Sequence, residues 1–177
     1  MIKRTMIINI FMIMIFLLVA CGKVFTNVDD YSDYVDSIDG ADSFMPSLDE
    51  LPEYLSIEVY YYEHLGQSIN LLLTFSDENY ESAKEAILNS IDFLEQPLMQ
   101  DDFYLIPEVE FEYLGYIIKV VDNVNFKYPE QFGMLGYSDE KVQISFMFFY
   151  DDSLNQISNS KDRMIRFVES EFKFPED

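Results

Sequence analysis

Residues 55–75 read LSIEVYYYEHLGQSINLLLTF, and this stretch decides the fold. Its first half alternates apolar and polar side chains from Leu55 to Tyr62, as in a strand with one buried face. Its second half places apolar residues at every second position, namely Ile69, Leu71, Leu73 and Phe75. Gly66 lies between the two halves and marks a turn. The stretch therefore predicts an antiparallel β-hairpin with one buried face.

A helix is predicted directly after the hairpin. The Ser76 side chain can accept a hydrogen bond from the first turn, and Asp77 and Glu78 suit the positive end of a helix dipole. Apolar residues then recur near one helical face, at Tyr80, Ala83, Ile87, Ile91 and Leu94. A second helix is predicted near the C-terminus, with Ser160 as its cap. Its inward residues are predicted to be Ile165, Val168 and Phe172.

Three more strands are predicted between these helices. Residues 108–113 alternate three glutamates with three apolar side chains, which predicts a strand with one polar face. Residues 116–121 are almost entirely apolar, which favours a central strand. Residues 142–150 alternate again and predict a fifth strand. Residues 125–140 are predicted to form a long irregular connection that is rich in aromatic side chains.

The predicted element order is β-β-α-β-β-β-α. This order favours an α+β fold in which a single antiparallel sheet of about five strands carries its helices on one face. The chain has 177 residues and shows no repeat of fixed period, so one domain is sufficient. The fold is predicted to begin near Met45, and the domain to cover residues 45–177.

The first 20 residues predict a cleaved leader. Lys3 and Arg4 precede an apolar run from Met6 to Ala20 that only Asn9 interrupts. The run is shorter than the roughly 20 apolar residues that a spanning helix needs, and its length suits the core of a signal peptide. The chain is therefore predicted to be exported.

The sequence LVAC at residues 18–21 resembles the lipobox of bacterial lipoprotein signal peptides. That resemblance implies cleavage before Cys21, attachment of diacylglycerol to its thiol, and a lipid-anchored position on the extracytoplasmic face of the cell membrane. Two acyl chains make such anchoring durable, whereas one chain binds only marginally. The alternative is a structural cysteine in an ordinary membrane helix, which the length and flanks of the run disfavour.

Residues 21–44 are predicted to form an acidic tether. The segment contains six aspartates, at Asp29, Asp30, Asp33, Asp36, Asp39 and Asp42. The last five recur at every third position, which matches neither a helical stripe nor a strand. Charge repulsion and weak helix propensity predict an extended spacer. Calcium binding stays open as an alternative, although the EF-hand pattern is absent.

The net charge of the chain limits the classes of partner that it can bind. Asp and Glu number 33 against 11 Lys and Arg, so the formal net charge is −22. Such a surface repels nucleic acid and anionic lipid headgroups and favours cations or basic proteins. The 49% hydrophobic content argues against a disordered acidic protein.

Residues suited to catalysis or to metal binding are few. His64 is the only histidine and lies in the predicted hairpin turn, which favours an exposed turn residue over a catalytic base. Cys21 is the only cysteine, so neither a structural zinc site nor a disulfide is expected. Glu108, Glu110 and Glu112 lie about 7 Å apart in a strand, near the spacing used by inverting glycosidases, but every polar strand face has this spacing. No catalytic residue, cofactor or metal ligand is therefore predicted.

The aromatic connection at residues 125–140 has two interpretations. It can fold over an uncovered face of the sheet and complete the core. Alternatively, it can form a contact surface for a protein, peptide or glycan. The candidate contact residues are Phe126, Tyr128, Phe132 and Tyr137.

Three scattered segments resemble a group of small lipoproteins from Gram-positive bacteria. They are FMPSLDEL at residues 44–51, IPE at 106–108 and FGMLGYSDEK at 132–141. The resemblance implies secretion and a lipid anchor, and it brings no activity or site residue with it.

The leading functional hypothesis is a non-enzymatic, lipid-anchored surface protein that binds an extracytoplasmic partner, with a cationic protein favoured by charge. A secreted toxin neutralised by an anchored immunity protein is one such pair. Two alternatives stay open: an enzyme that acts at the cell wall, and a metal-sequestering or structural component of the envelope.

Overall fold

The computed structural model describes residues 23–63, 66–157 and 164–175. The predicted leader, Cys21, His64 and Ser160 lie outside these described residues. The predictions that concern them therefore stay predictions.

Strands dominate the described residues. They are β1 (Lys23–Phe25), β2 (Ser56–Glu63), β3 (Gln67–Thr74), β4 (Leu98–Gln100), β5 (Phe103–Ile106), β6 (Glu110–Tyr113), β7 (Tyr116–Val120), β8 (Gln131–Ser138) and β9 (Gln143–Tyr150). The α-helices in this part of the chain are α1 (Tyr31–Ser37), α2 (Asp77–Asn89) and α3 (Met164–Glu171). Short 3-10 turns cover Val28–Asp30, Ala41–Ser43 and Leu48–Glu50.

The α+β class and the antiparallel sheet are confirmed, but the sheet is larger than predicted. It has seven strands in the order β1-β2-β3-β9-β8-β7-β6, and β4 pairs only with β5 in a separate hairpin. The hairpin of residues 55–75 is confirmed, with Val59 opposite Leu71. The Ser76 cap of α2 is also confirmed, because its side chain accepts a hydrogen bond from the Asn79 N–H. Helix α2 ends at Asn89, so Ile91 and Leu94 lie beyond it.

The prediction of an irregular connection is wrong for residues 131–138, because these residues form the strand β8. This strand pairs along its whole length with β9, and β9 pairs along its whole length with β3. Almost every residue of β8 is buried, so it shows no apolar and polar alternation by which a strand could be recognised. The insertion of β8 also leaves β7 second from an edge of the sheet, where a central position was predicted.

Helices cover both faces of the sheet, so the prediction of helices on one face is wrong. Phe146 and Phe149 point to opposite faces of β9 because side chains alternate along a strand. The Phe146 ring lies 5.9 Å from the ring of Phe44, which belongs to the N-terminal segment. The Phe149 ring lies 4.8 Å from that of Phe167 on α3.

The C-terminal segment is also fastened to the sheet through polar side chains. The buried Ser68 hydroxyl donates a hydrogen bond to the Glu171 carbonyl, and Asn70 Nδ2 donates to the Lys173 carbonyl over 2.9 Å. Val168 and Phe172 are buried as predicted, whereas Ile165 is 41% exposed and faces solvent. The apolar surface that helix α3 packs against the sheet is therefore narrower than the sequence predicted.

Residues 23–44 are folded, so the prediction of an extended acidic tether is wrong for them. β1 pairs antiparallel with β2, and α1 follows within six residues. The segment buries its apolar side chains at intervals of three and four residues, at Tyr31, Val35, Ile38, Ala41 and Met45. The intervening aspartates occupy the opposite side. This spacing is that of an amphipathic helix, and the regular aspartates conceal it.

The N-terminal segment fits closely against β8. Gly133 makes the approach possible, since a Cβ atom there would lie 2.6 Å from Cδ1 of Phe44. The Gln131 side-chain amide donates a hydrogen bond to the Asp39 carbonyl. Gly40 has a φ of 76°, a left-handed conformation that lets the chain turn after α1. The segment is therefore an integral layer of the domain. We refer to residues 23–50 as the N-terminal layer.

We expect replacement of Ile38 by alanine to lower the free energy of unfolding by about 2–5 kcal/mol, since Ile38 is only 2% exposed and lies on the buried side of the N-terminal layer. Chemical denaturation of the full chain measures the effect. Ser32→Ala, on the exposed side of α1, is the control and should change stability by less than about 0.5 kcal/mol. Equal effects from the two changes would mean that residues 23–44 do not pack as described.

Candidate functional site

A groove of about 810 Å³ opens in the N-terminal layer, between α1 and the chain that follows Ser43. Apolar side chains form its floor, and they are Tyr31, Val35, Phe44, Met45 and Leu48. Carboxylates surround the floor and form its rim, and they are Asp29, Asp36, Asp42, Asp49 and Glu50. We refer to this feature as the acidic groove.

The two walls of the acidic groove come from different local structures. Helix α1 supplies Val35 and Asp36, which are neighbours in sequence and therefore point about 100° apart, one inward and one outward. The 3-10 turn Leu48–Glu50 supplies the facing wall. The Tyr31 hydroxyl donates a hydrogen bond to the Pro46 carbonyl over 2.8 Å and ties the walls together. Burial raises the pKa of Tyr31, so this hydroxyl keeps its proton at neutral pH.

No described residue supplies a counter-charge to the rim carboxylates of the acidic groove. Within the described part of the chain, the ion pairs join Lys84 to Glu81 and Asp139, Lys119 to Glu110, and Lys127 to Asp39. No rim carboxylate takes part in any of them or accepts a side-chain hydrogen bond from a described residue. Several charges of one sign without counter-charges attract cations.

The acidic groove does not have the form of a metal site. Over residues 23–63, 66–157 and 164–175, no group of three or more His, Cys, Asp or Glu side chains comes together to hold a metal ion. The rim carboxylates are instead separated by the apolar floor. The arrangement suits a larger cation that also has apolar surface.

Two of the four predicted aromatic contact residues belong to the core, which corrects their assignment to a contact surface. Phe126 is 8% exposed and Phe132 is fully buried. Their rings lie 5.6 Å from Phe148 and 5.9 Å from Phe149, respectively. For these residues the segment completes the core, because both faces of β9 need apolar cover.

The other two predicted contact residues, Tyr128 and Tyr137, are half-buried. The Tyr128 hydroxyl donates a hydrogen bond to the Val121 carbonyl, and burial raises the pKa of Tyr128 to about 12. The Tyr137 ring lies 5.9 Å from the Lys84 ammonium. Neither side chain borders the acidic groove.

The three glutamates at residues 108–112 do not form one continuous carboxylate face. Glu110 is the first residue of β6 and pairs with Lys119 over 3.1 Å. Glu112 is exposed on the same face. Glu108 lies before the strand, and its Oε2 atom is buried without a hydrogen-bond partner among the described residues. The strand spacing assumed for a pair of catalytic carboxylates therefore holds only for Glu110 and Glu112.

A second charged cluster joins α2 to the turn between β8 and β9. The Lys84 ammonium and the Tyr80 hydroxyl both donate to Oδ1 of Asp139 over 2.8 Å. Lys84 also reaches Glu81 over 2.9 Å. The bonds from Lys84 and Tyr80 lower the pKa of Asp139 below its usual value of 3.8. Because its charges are already paired, this cluster fastens the fold and offers little to a ligand.

The acidic groove was not predicted from the sequence, because its residues were assigned to an acidic spacer and to the start of the fold near Met45. The available signal was the spacing of the apolar residues from Tyr31 to Met45, which follows a helical period between the aspartates.

Comparison of the chain with protein-family models, with curated proteins and with solved structures finds no significant match. None of the helices in the described ranges is long and apolar enough to cross a membrane.

We expect Asp139→Asn to lower the free energy of unfolding at neutral pH by about 1 kcal/mol, the upper range for an exposed ion pair. The lowered pKa of Asp139 means that the folded state favours the charged carboxylate. Its contribution is therefore present above the usual carboxyl pKa and disappears as pH falls through the lowered value.

Denaturation curves of the Asp139→Asn variant and the unaltered chain, recorded from neutral pH down to about pH 2, measure this effect. Glu140→Gln, in the same turn, is the matched control. A stability difference that persists unchanged at the acid end would contradict the assigned role of Asp139.

Proposed function

We propose that the protein is a lipid-anchored, non-enzymatic protein of the extracytoplasmic membrane face that binds a cationic protein partner in the acidic groove. The observation that carries the proposal is an apolar floor surrounded by rim carboxylates that form no ion pair with any described residue. A fold held together by packing gains nothing from unpaired charges of one sign, since their repulsion opposes compaction. A basic partner would supply the missing counter-charges.

The net charge of the whole chain supports the same proposal at longer range. A formal charge of −22 produces a field that accelerates encounters with basic proteins and suppresses encounters with acidic ones. The field acts before contact, whereas the apolar floor acts after contact by slowing dissociation. The two features together would give a partner both a high association rate and a defined binding site.

The anchor and the fold are close together in the chain. Lys23 begins β1 and stands two residues after Cys21, a span of at most about 7 Å. A lipid on Cys21 would therefore hold β1 at the membrane surface, without an intervening spacer. Asp29 follows Phe25 by four residues, so the acidic groove begins within about 14 Å of β1. The proposed partner would be bound next to the membrane.

The anchor is tested by Cys21→Ser. We expect this change to abolish incorporation of labelled palmitate and to release the protein from membranes or leave an uncleaved precursor, because diacylglycerol needs the thiol. Labelling and membrane sedimentation after a carbonate wash are the measurements. A variant that still labels and sediments would remove the anchor from the proposal.

The partner is tested by capture with the full chain held in detergent. We expect basic extracytoplasmic proteins, identified by mass spectrometry, to be enriched at low salt and released as the salt concentration rises. The rim variant Asp36→Asn with Asp49→Asn should lose them. The matched control is Glu85→Gln with Glu140→Gln, which removes the same charge from exposed positions outside the groove.

Equal losses from the rim variant and the control would show that only the general field acts, and would refute the acidic groove as the binding site. Enrichment of acidic proteins, or capture that ignores salt, would refute the cationic partner itself.

A further inference from the structure

We propose that the acidic groove takes a short chain segment in which an aliphatic or aromatic side chain is flanked by lysine or arginine. This inference rests on the proposed binding of a cationic partner and names the part of the partner that enters. It is carried by the volume of the groove, by the position of its floor between its charges, and by the absence of ion pairs at its rim within the described residues.

The volume of about 810 Å³ sets the size of the occupant. Clefts of roughly 300–1,000 Å³ enclose compact ligands of several chemical groups. A metal ion needs far less space. A few consecutive side chains of a peptide fill such a groove.

The floor and the rim set the chemistry of the occupant. Val35 of α1, Leu48 of the facing 3-10 turn and Met45 of the chain that joins these elements all line the groove. Met45 has an unbranched, adaptable side chain that can fit apolar groups of different shape. An apolar residue of the ligand would bury its surface here, which is the contribution that a purely charged ligand cannot make.

Carboxylates stand on both sides of this floor. Asp29 and Asp36 belong to the α1 side, and Asp49 and Glu50 belong to the facing 3-10 turn. Lysine and arginine can lay their aliphatic stems along apolar surface while their charged ends reach outward. Basic residues on both sides of a central apolar residue would therefore meet a carboxylate on each wall.

Other occupants fit less well. A second copy of this chain would bring a further charge of −22 to an acidic surface. An anionic lipid headgroup would be repelled for the same reason. The described residues form no metal-binding group. The segment of a basic partner is the occupant whose charge complements the groove.

The test uses three capped peptides of equal length with the full chain in detergent, by titration calorimetry or fluorescence anisotropy. KLKLK carries both features, KSKSK keeps only the positive charge, and ELELE keeps the apolar residues and reverses the charge. We expect KLKLK to bind about tenfold or more tightly than KSKSK, since each buried leucine side chain contributes at least that factor. ELELE should not bind. Equal affinity of KLKLK and KSKSK would overturn the inference.

Variants locate the binding within the groove. Leu48→Ser should weaken KLKLK and leave KSKSK unchanged, because only the first peptide uses the floor. The comparison of the two peptides on one variant separates a lost contact from a loss of folding, which would weaken both. Asp36→Asn with Asp49→Asn should weaken both peptides, and the Glu85→Gln with Glu140→Gln control should weaken neither. Equal affinity for KLKLK in the Leu48→Ser variant and in the Glu85→Gln with Glu140→Gln control would also overturn the inference.

The two proposals fail in different ways. If basic proteins are captured through the rim while KLKLK gains nothing over KSKSK, the cationic partner stands and the amphipathic segment is refuted. If neither peptide binds and capture is indifferent to the rim variant, binding of the cationic partner in the acidic groove fails as well.

Discussion

The structure depends on one constraint, which is that the three central strands of its sheet are buried on both faces, with mostly apolar side chains. β3, β9 and β8 bury nearly all of their residues. Apolar surface contributes about 25 cal/mol per Å² when it is removed from water, so both faces need cover. The N-terminal layer covers one face and α3 with the following chain covers the other. The acidic N-terminal layer is consequently packed against the sheet, because its apolar side chains cover one of the two faces.

The acidic groove is a product of this recruitment. The N-terminal layer must present its apolar residues to the sheet, so its aspartates are pushed to the outer side. Tyr31 joins α1 to Pro46 and leaves an open space between the two walls. The charges around that space are not paired within the described chain, whereas Lys84, Lys119 and Lys127 are committed elsewhere. These charges are the feature on which the proposed binding of a cationic partner rests.

The folded N-terminal layer also changes how an anchored protein of this kind would work. A long acidic spacer would let a domain sample a wide volume above the membrane. If Cys21 carries the proposed lipid, the folded strand β1, which starts at Lys23, would instead keep the domain and its groove close to the membrane. Recognition would then take place at the membrane surface, where the field of the acidic domain gathers basic proteins as they approach.

The sequence by itself determined the local elements. The alternation at residues 55–75 specifies the β2–β3 hairpin, and Ser76 specifies the start of α2, because side-chain periodicity and capping act over a few residues. It also determined the charge that suggests a basic partner. Only the tertiary structure decided that β8 is a strand, that helices lie on both faces, and that Phe126 and Phe132 are core residues. The acidic groove likewise exists only in three dimensions. Its walls come from separate stretches of chain, and the force that brings them together is the burial of a distant sheet, which no local pattern records.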